Sequence, residues 1–189
     1  LEVIICDVVG KGVPASLLMV MIRTIIRPVA SPNRKPAQLL TFLNRGIKDR
    51  IGTDHFATMS ILHYDEKEGS VVYSNAAHPP LLHYRRRTDS FAEVDTPGLP
   101  IGIEKNETYR QRTIALDSGD IILLFTDGLP EARREDGTEY GLERIRRAVS
   151  HHADETPQVI QKRILQDVER FTGSEDLNDD QTLIILKKT

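Results

Sequence analysis

The sequence predicts an α+β fold, with antiparallel sheets inside and helices outside. Three observations predict it. Hydrophobic periodicity along the chain gives one strand, two helices, a run of strands, two more helices and a last strand. The central strand-like segments follow one another without helices between them, as antiparallel neighbours do. The helical segments space their apolar residues by three and four, so each has a side to bury. At 189 residues the chain is long enough for one well-buried core, and no linker, internal repeat or low-complexity tract divides it. A single domain spanning 1–189 is expected.

Residues 2–6 form a short apolar run of the buried-strand type, broken by Gly10-Lys11-Gly12. Pro14 then opens a helix in its first turn. Leu17, Met21, Ile25 and Val29 make one apolar row in it and Leu18, Ile22 and Ile26 lie beside them, so a wide buried stripe and a core helix are expected, with Met19 and Met21 in its packing. Pro28 and Pro32 close it, and Pro36 opens a second amphipathic helix with Leu39, Leu40, Phe42, Leu43 and Ile47 on or near one face. From Phe56 the period changes to two. Segments 56–64, 71–75 and 81–84 read as strands of an antiparallel meander, the first two joined across Asp65-Glu-Lys-Glu-Gly69. Further strands are expected at 110–116 and 121–126, helices at 142–150 and 157–171, and a closing strand at 182–186.

Composition narrows the function classes. With 25 basic against 28 acidic side chains the formal net charge is −3, which argues against nucleic acid as the main partner and against attraction to an anionic membrane. A metal-dependent nuclease is disfavoured for the same reason, because no basic stripe accompanies the acids. Cys6 is the only cysteine, so no internal disulfide forms and a reducing, cytoplasmic setting is expected. The most apolar stretch, 13–30, is interrupted by Arg23 and Arg27 and does not read as a membrane span. Arg85-Arg-Arg87 reads as a solvated hairpin tip, and His151-His152 as a surface pair near a helix end.

Chemistry concentrates in three carboxylate clusters, each where an apolar strand meets a loop: Asp7 after Val3-Ile-Ile-Cys6, Asp127 after 121–125, and Asp179-Asp180 before 183–186. A strand end is a rigid place from which to aim an acid. Such a set offers only hard oxygen ligands, which suit magnesium or manganese. Zinc is disfavoured, since the six histidines show no zinc-protease spacing and one cysteine builds no structural zinc site. Taken singly, each aspartate is better read as a turn former or helix cap; only the combination points to a metal site. The GxxxxGK[ST] spacing is absent around Gly10-Lys11-Gly12, which excludes a P-loop.

The words around these acids resemble a known family. Cys6-Asp-Val-Val-Gly-Lys-Gly-Val-Pro-Ala-Ser-Leu17 is similar to the G-D-V-x-G-K-G-x-P-A-x-L segment of the bacterial serine phosphatases of the SpoIIE and RsbU type, within the metal-dependent PP2C-like phosphatases. Phe56-Ala-Thr-Met59, Asn75-Ala-Ala-His-Pro-Pro-Leu81, Gly98-Leu-Pro-Ile-Gly102, Gly119-Asp-Ile-Ile-Leu-Leu-Phe-Thr-Asp-Gly-Leu-Pro-Glu-Ala132 and Asp179-Asp-Gln-Thr-Leu183 resemble the later motifs, in order. The likeness covers essentially the whole chain.

The resemblance implies a PP2C-like αββα sandwich and a protein serine/threonine phosphatase holding two Mn²⁺ or Mg²⁺ ions. By position, Asp7, Asp127 and Asp179 are the catalytic metal-binding acids, Asp7 bridges the ions, and the Val8 carbonyl binds one of them. Asp180 stands beside the ligand Asp179. Gly10 and Gly12 let their loop pass close to the metals, Lys11 either touches substrate phosphate or is a solvated loop lysine, and Gly128 accommodates the turn after its aspartate. The implied reaction is attack of a metal-bound hydroxide on phosphoserine, with a STAS-type anti-anti-sigma protein as substrate. Val9 stands where classical PP2C enzymes have a general-acid histidine; His78 is read as structural, and the acid is left unassigned.

The family's Gly-Gly-Asp-like strand, which precedes these motifs, has no counterpart, so an N-terminally truncated piece of a longer protein with an upstream sensor or regulatory domain is expected. The lost edge strand and an exposed apolar helix would favour a homodimer. The two-helix element 14–51 is, by resemblance, a regulatory switch; the alternative reading is a static scaffold. The competing reading is a pseudophosphatase that binds a regulatory partner without hydrolysis.

Overall fold

The computed structural model describes residues 1–30, 34–50, 55–173 and 179–189. Pro32, Ile51 and the acidic residues just before Asp179 lie outside the described residues. The chain forms two compact units, Leu1–His78 with Asp95–Leu116, and Pro79–Val94 with Asp117–Thr189.

The first unit is a four-stranded antiparallel sheet carrying two helices. Strands β1 (Glu2–Val8), β2 (Ala57–Asp65), β3 (Ser70–Ala76) and β6 (Arg112–Ala115) lie in the order β1-β2-β3-β6. Register places Asp7 opposite Thr58 and Asp65 opposite Ser70. The β2–β3 turn is closed by Asp65, whose Oδ1 accepts from the Lys67 and Glu68 amides at 3.0 and 3.2 Å. Helices α1 (Val13–Ile26) and α2 (Pro36–Lys48) bury Leu18, Ile22, Ile26, Leu39, Leu40, Leu43 and Ile47 against Ala57, Met59, Ile61 and Ala76 of the sheet. Both helices start at a proline in the first turn, as the sequence indicates.

Two details of the helices correct the sequence reading. In α1 only the row Leu18, Ile22, Ile26 is buried, whereas Val13, Leu17, Val20 and Met19 are exposed. The helix is apolar nearly all round, so periodicity alone did not pick the buried side. In α2, Phe42 stands 46% exposed, with the Arg34 guanidinium 5.5 Å from its ring centroid.

The second unit repeats the plan. Strands β4 (Leu81–Arg85), β5 (Ser90–Val94), β7 (Ile121–Phe125) and β8 (Leu183–Lys187) form an antiparallel sheet in the order β5-β4-β7-β8. Leu82, Tyr84, Ile121, Leu123 and Phe125 pack with Ile145 and Val149 of α3 (Leu142–His151) and Ile160, Ile164, Val168 and Phe171 of α4 (Pro157–Thr172). Helix α4 is punctuated at both ends, with Thr156 accepting from the Val159 amide and Gly173 taking the left-handed conformation at φ 70°.

The expected meander is overturned here. Strand β4 does not continue the β2–β3 pairing but joins β5 and β7, and β5 was not foreseen. Between β3 and β4 stand Pro79 and Pro80, which have no amide to donate to a ladder. The Arg85-Arg-Arg87 tip is exposed, as expected, and on that surface Arg86 makes a forked contact to Asp154, at 2.8 and 3.0 Å from its Nη2. Among the described residues no helix is long and apolar enough to cross a membrane.

Candidate metal centre

Asp127 follows β7 by two residues, and the sequence Thr126-Asp127-Gly128 is stitched to the distant segment Asp179–Thr182. Thr126 Oγ1 donates to the Asp180 carbonyl at 3.1 Å and accepts the Thr182 amide at 2.9 Å. The Thr126 amide donates to the Thr182 carbonyl at 3.1 Å, and Gln181 Nε2 donates to the Gly128 carbonyl at 3.2 Å. These bonds extend the β7–β8 ladder past its end. Two acid-bearing segments more than fifty residues apart in the chain are thereby held side by side.

Gly128 is required by close approach. A Cβ there would stand 2.5 Å from the Asp180 carbonyl oxygen and 3.4 Å from Asp179 Cβ, and its backbone φ is not left-handed. Gly128 lies in the turn after Asp127, as the sequence indicates, and close approach adds a steric reason for glycine there. Asp127 and Asp179 are both exposed, and among the described residues neither carboxylate has an ion-pair partner. Asp179 Oδ1 accepts the neighbouring Asp180 amide at 2.9 Å. Exposed carboxylate oxygens without a basic partner are the donor chemistry that a hard divalent cation takes.

In the first unit Asp7 sits one residue inside the end of β1, and Val8 ends the strand. The glycines that follow have φ values of 97° (Gly10) and 78° (Gly12), and a Cβ on either would meet nothing within 4 Å. They serve a left-handed backbone path that a side chain would disfavour. Lys11 is exposed. Cys6 is half-buried, and burial first and the neighbouring Asp7 second push its thiol up to about 12, which disfavours the thiolate at neutral pH.

His78 is held by a network that sequence reading did not anticipate. Its Nδ1 meets Thr58 Oγ1 at 2.9 Å, and Thr58 is the cross-strand partner of Asp7. Its backbone is fixed by Asn75: Oδ1 accepts the His78 amide at 2.9 Å and Nδ2 donates to the His78 carbonyl at 2.8 Å. Asn75 Nδ2 also reaches Asp95 Oδ1 at 2.7 Å, and Ser60 Oγ donates to Asn75 Oδ1 at 2.9 Å. Only the Asn75 and His78 ends of this network lay within one quoted motif. Among the described residues, no group of three or more His, Cys, Asp or Glu side chains converges as a ready-made metal cage.

Comparison with known proteins supplies the family. The profile described as Stage II sporulation protein E (SpoIIE) matches residues 1–189. The chain belongs to the SpoIIE family. It is 32% identical over 190 residues to the phosphoserine phosphatase RsbU of Bacillus subtilis, covering all of this chain and 56% of RsbU. This SpoIIE-family chain thus spans little more than half the length of that relative.

Among solved structures, the SiaA-PP2C domain of Pseudomonas aeruginosa superimposes with a TM-score of 0.86 at 20% identity, covering 100% of this chain and 76% of that one. The RsbU and RsbW domains of a Mycobacterium tuberculosis protein give 0.81 at 29% identity, with 99% and 51% coverage. RsbX in complex with magnesium gives 0.67 at 18% identity, with 97% and 80% coverage. The PP2C-like α+β class expected from the sequence is the fold of these neighbours.

Proposed function

We propose that this SpoIIE-family chain is one phosphatase domain spanning 1–189 that hydrolyses phosphoserine on a regulatory protein with the help of divalent cations. The observation that carries the reading is the stitched pair of loops, which holds Asp127 beside Asp179 with both carboxylates open. Support also comes from RsbU, which is named a phosphoserine phosphatase, and from RsbX, which is described in complex with magnesium.

In this reading Asp7, Asp127 and Asp179 hold two Mn²⁺ or Mg²⁺ ions, together with the Val8 carbonyl. The ions would supply Lewis acidity and an activated water for direct displacement at phosphorus. The chain's own part is positioning. The Thr126 and Gln181 bonds fix the two acid loops, Gly128 allows their backbones to meet, and Asp180 lies beside Asp179. Gly10, Lys11 and Gly12 form the exposed loop available to substrate phosphate. A STAS-type anti-anti-sigma protein is the proposed substrate, in the cytoplasm, under control of an upstream sensor domain. The RsbU and RsbW domains paired in one relative support a partner-switching role.

The test is the purified chain with Mn²⁺, assayed on an aryl phosphate and on a phosphoserine protein beside Asp127→Asn. Losing one anionic ligand should lower kcat/KM by about 100-fold or more, the equivalent of several kcal/mol of charge stabilisation. Equal activity in the two proteins would sink the assignment. A second reading is a partner-binding pseudophosphatase. Calorimetric titration with Mn²⁺ separates them, since the enzyme takes up metal and the binding module does not.

A further inference from the structure

Away from the acid loops, the outer sides of α3 and α4 enclose a cleft of about 370 Å³ lined chiefly by Arg144, Arg147, His151, Arg163, Asp167 and Arg170. On α3 the residues 144, 147 and 151 fall at i, i+3 and i+7, and on α4 the residues 163, 167 and 170 do the same at i, i+4 and i+7. Each helix therefore turns one basic face to the cleft. Four guanidinium groups stand against a single carboxylate.

That carboxylate is already engaged, because Asp167 Oδ2 accepts the Tyr140 hydroxyl at 2.7 Å. Among the described residues, none of the four arginines has a carboxylate within ion-pair distance, whereas Arg86, Arg133 and Arg146 of the same unit all do. Arg144 is oriented without an anion, its guanidinium lying 4.6 Å from the Phe171 ring centroid and 5.9 Å from that of Tyr140. The excess positive field is also felt by His152, which is held below its ordinary value first by burial and then by His151 and Arg163.

We infer that this cleft binds a compact polyphosphate anion, either free or as the phosphate chain of a nucleotide. Guanidinium forks match phosphate oxygens two at a time, and several converging forks suit several linked phosphates. The volume lies at the small end of ligand pockets. Its lining is largely charged, with Ala148 the one aliphatic member, so it offers no apolar floor for an acyl chain. The inference is independent of the phosphatase reading.

The whole chain is titrated calorimetrically with sodium tripolyphosphate at about 150 mM salt, where weak surface attraction is screened. A chelator in the buffer keeps divalent cations out of the measurement. One-to-one binding is expected, weakened about tenfold or more by Arg147→Ala with Arg163→Ala, two exposed positions whose loss should leave the melting curve in place. The lysine pair, Arg147→Lys with Arg163→Lys, keeps the charge and loses the forks, so it should fall between the two. His151 and His152 ring protons should shift in NMR spectra during the titration. ATP in a parallel titration separates the two sources of the phosphate chain: tighter binding than tripolyphosphate assigns the site to a nucleotide, and equal or weaker binding to the free anion. Absence of binding, binding untouched by the alanine pair, or full retention by the lysine pair overturns the inference. Displacement of tripolyphosphate by a glutamate-rich peptide at lower concentration does so too, since the cleft would then be an acidic-protein surface.

Discussion

Asn75 spends its entire side-chain hydrogen-bonding capacity on four partners: the His78 amide and carbonyl, Ser60 and Asp95. The loop it spans holds Ala77 at φ 57°, a left-handed conformation that a non-glycine residue rarely takes. The buried side chain therefore sustains a strained turn as well as a network. We predict that Asn75→Ala lowers unfolding free energy by about 3 kcal/mol, because four donors and acceptors on His78, Ser60 and Asp95 lose a partner together. Urea denaturation reads this directly, and a loss below about 1 kcal/mol would show the network to be dispensable. The motif containing Asn75 was legible in the sequence, but its role was not. Ser60, Asp95 and Thr96 reach it from fifteen to twenty-one residues away, and no local pattern announces such contacts. The same holds at the acid loops. Asp127 and Asp179 were each visible as strand-end acids, whereas the Thr126 hydroxyl that joins their segments is a long-range bond with no local signature.

At the scale of elements, the sequence located the four helices and most strands because each carries its own period and its own punctuation, as Thr156 and Gly173 do for α4. It failed where an element is apolar on every side or where pairing depends on distant partners. Helix α1 shows the first failure: two neighbouring rows read alike, and Leu18, Ile22 and Ile26 are the fully buried one, with Ile25 and Val29 only partly buried against the same core. We predict that Ile22→Ala costs about 2–4 kcal/mol, a buried large-to-small change with a cavity term. Leu17→Ser and Val20→Ser, on residues 60% exposed, should shift stability by no more than about 0.5 kcal/mol. Chemical denaturation of the three variants decides it, and a large loss from Leu17→Ser would return that row to the core. Strand β4 shows the second failure. Sequential strands pair so often that a meander was the natural expectation, yet Pro79-Pro80 interrupts the ladder and the strand joins β7, which comes thirty-five residues later in the chain.

For the molecule as a whole, the chain passes from one unit to the other three times, after His78, Val94 and Leu116, so no single cut separates them. The second unit is accordingly built from two stretches of chain. Its sheet order β5-β4-β7-β8 places the 81–94 hairpin beside β7, while its helices and its other two strands all come after residue 117. A fragment starting at Asp117 would keep α3, α4 and β8 but lose Leu82 and Tyr84, both fully buried, from the core they share with Ile121 and Leu123. It would also leave β7 with an unpaired edge along an apolar run, a template for aggregation. Removing two large core side chains costs more than about 5 kcal/mol by the usual large-to-small scale, comparable with the whole stability of an ordinary domain. We predict that residues 117–189 expressed alone show neither a cooperative thermal transition by circular dichroism nor dispersed amide resonances, while the full chain shows both. A cooperatively melting 117–189 fragment would mean that the second unit folds without the hairpin, and that the proposed single phosphatase domain is two separable ones.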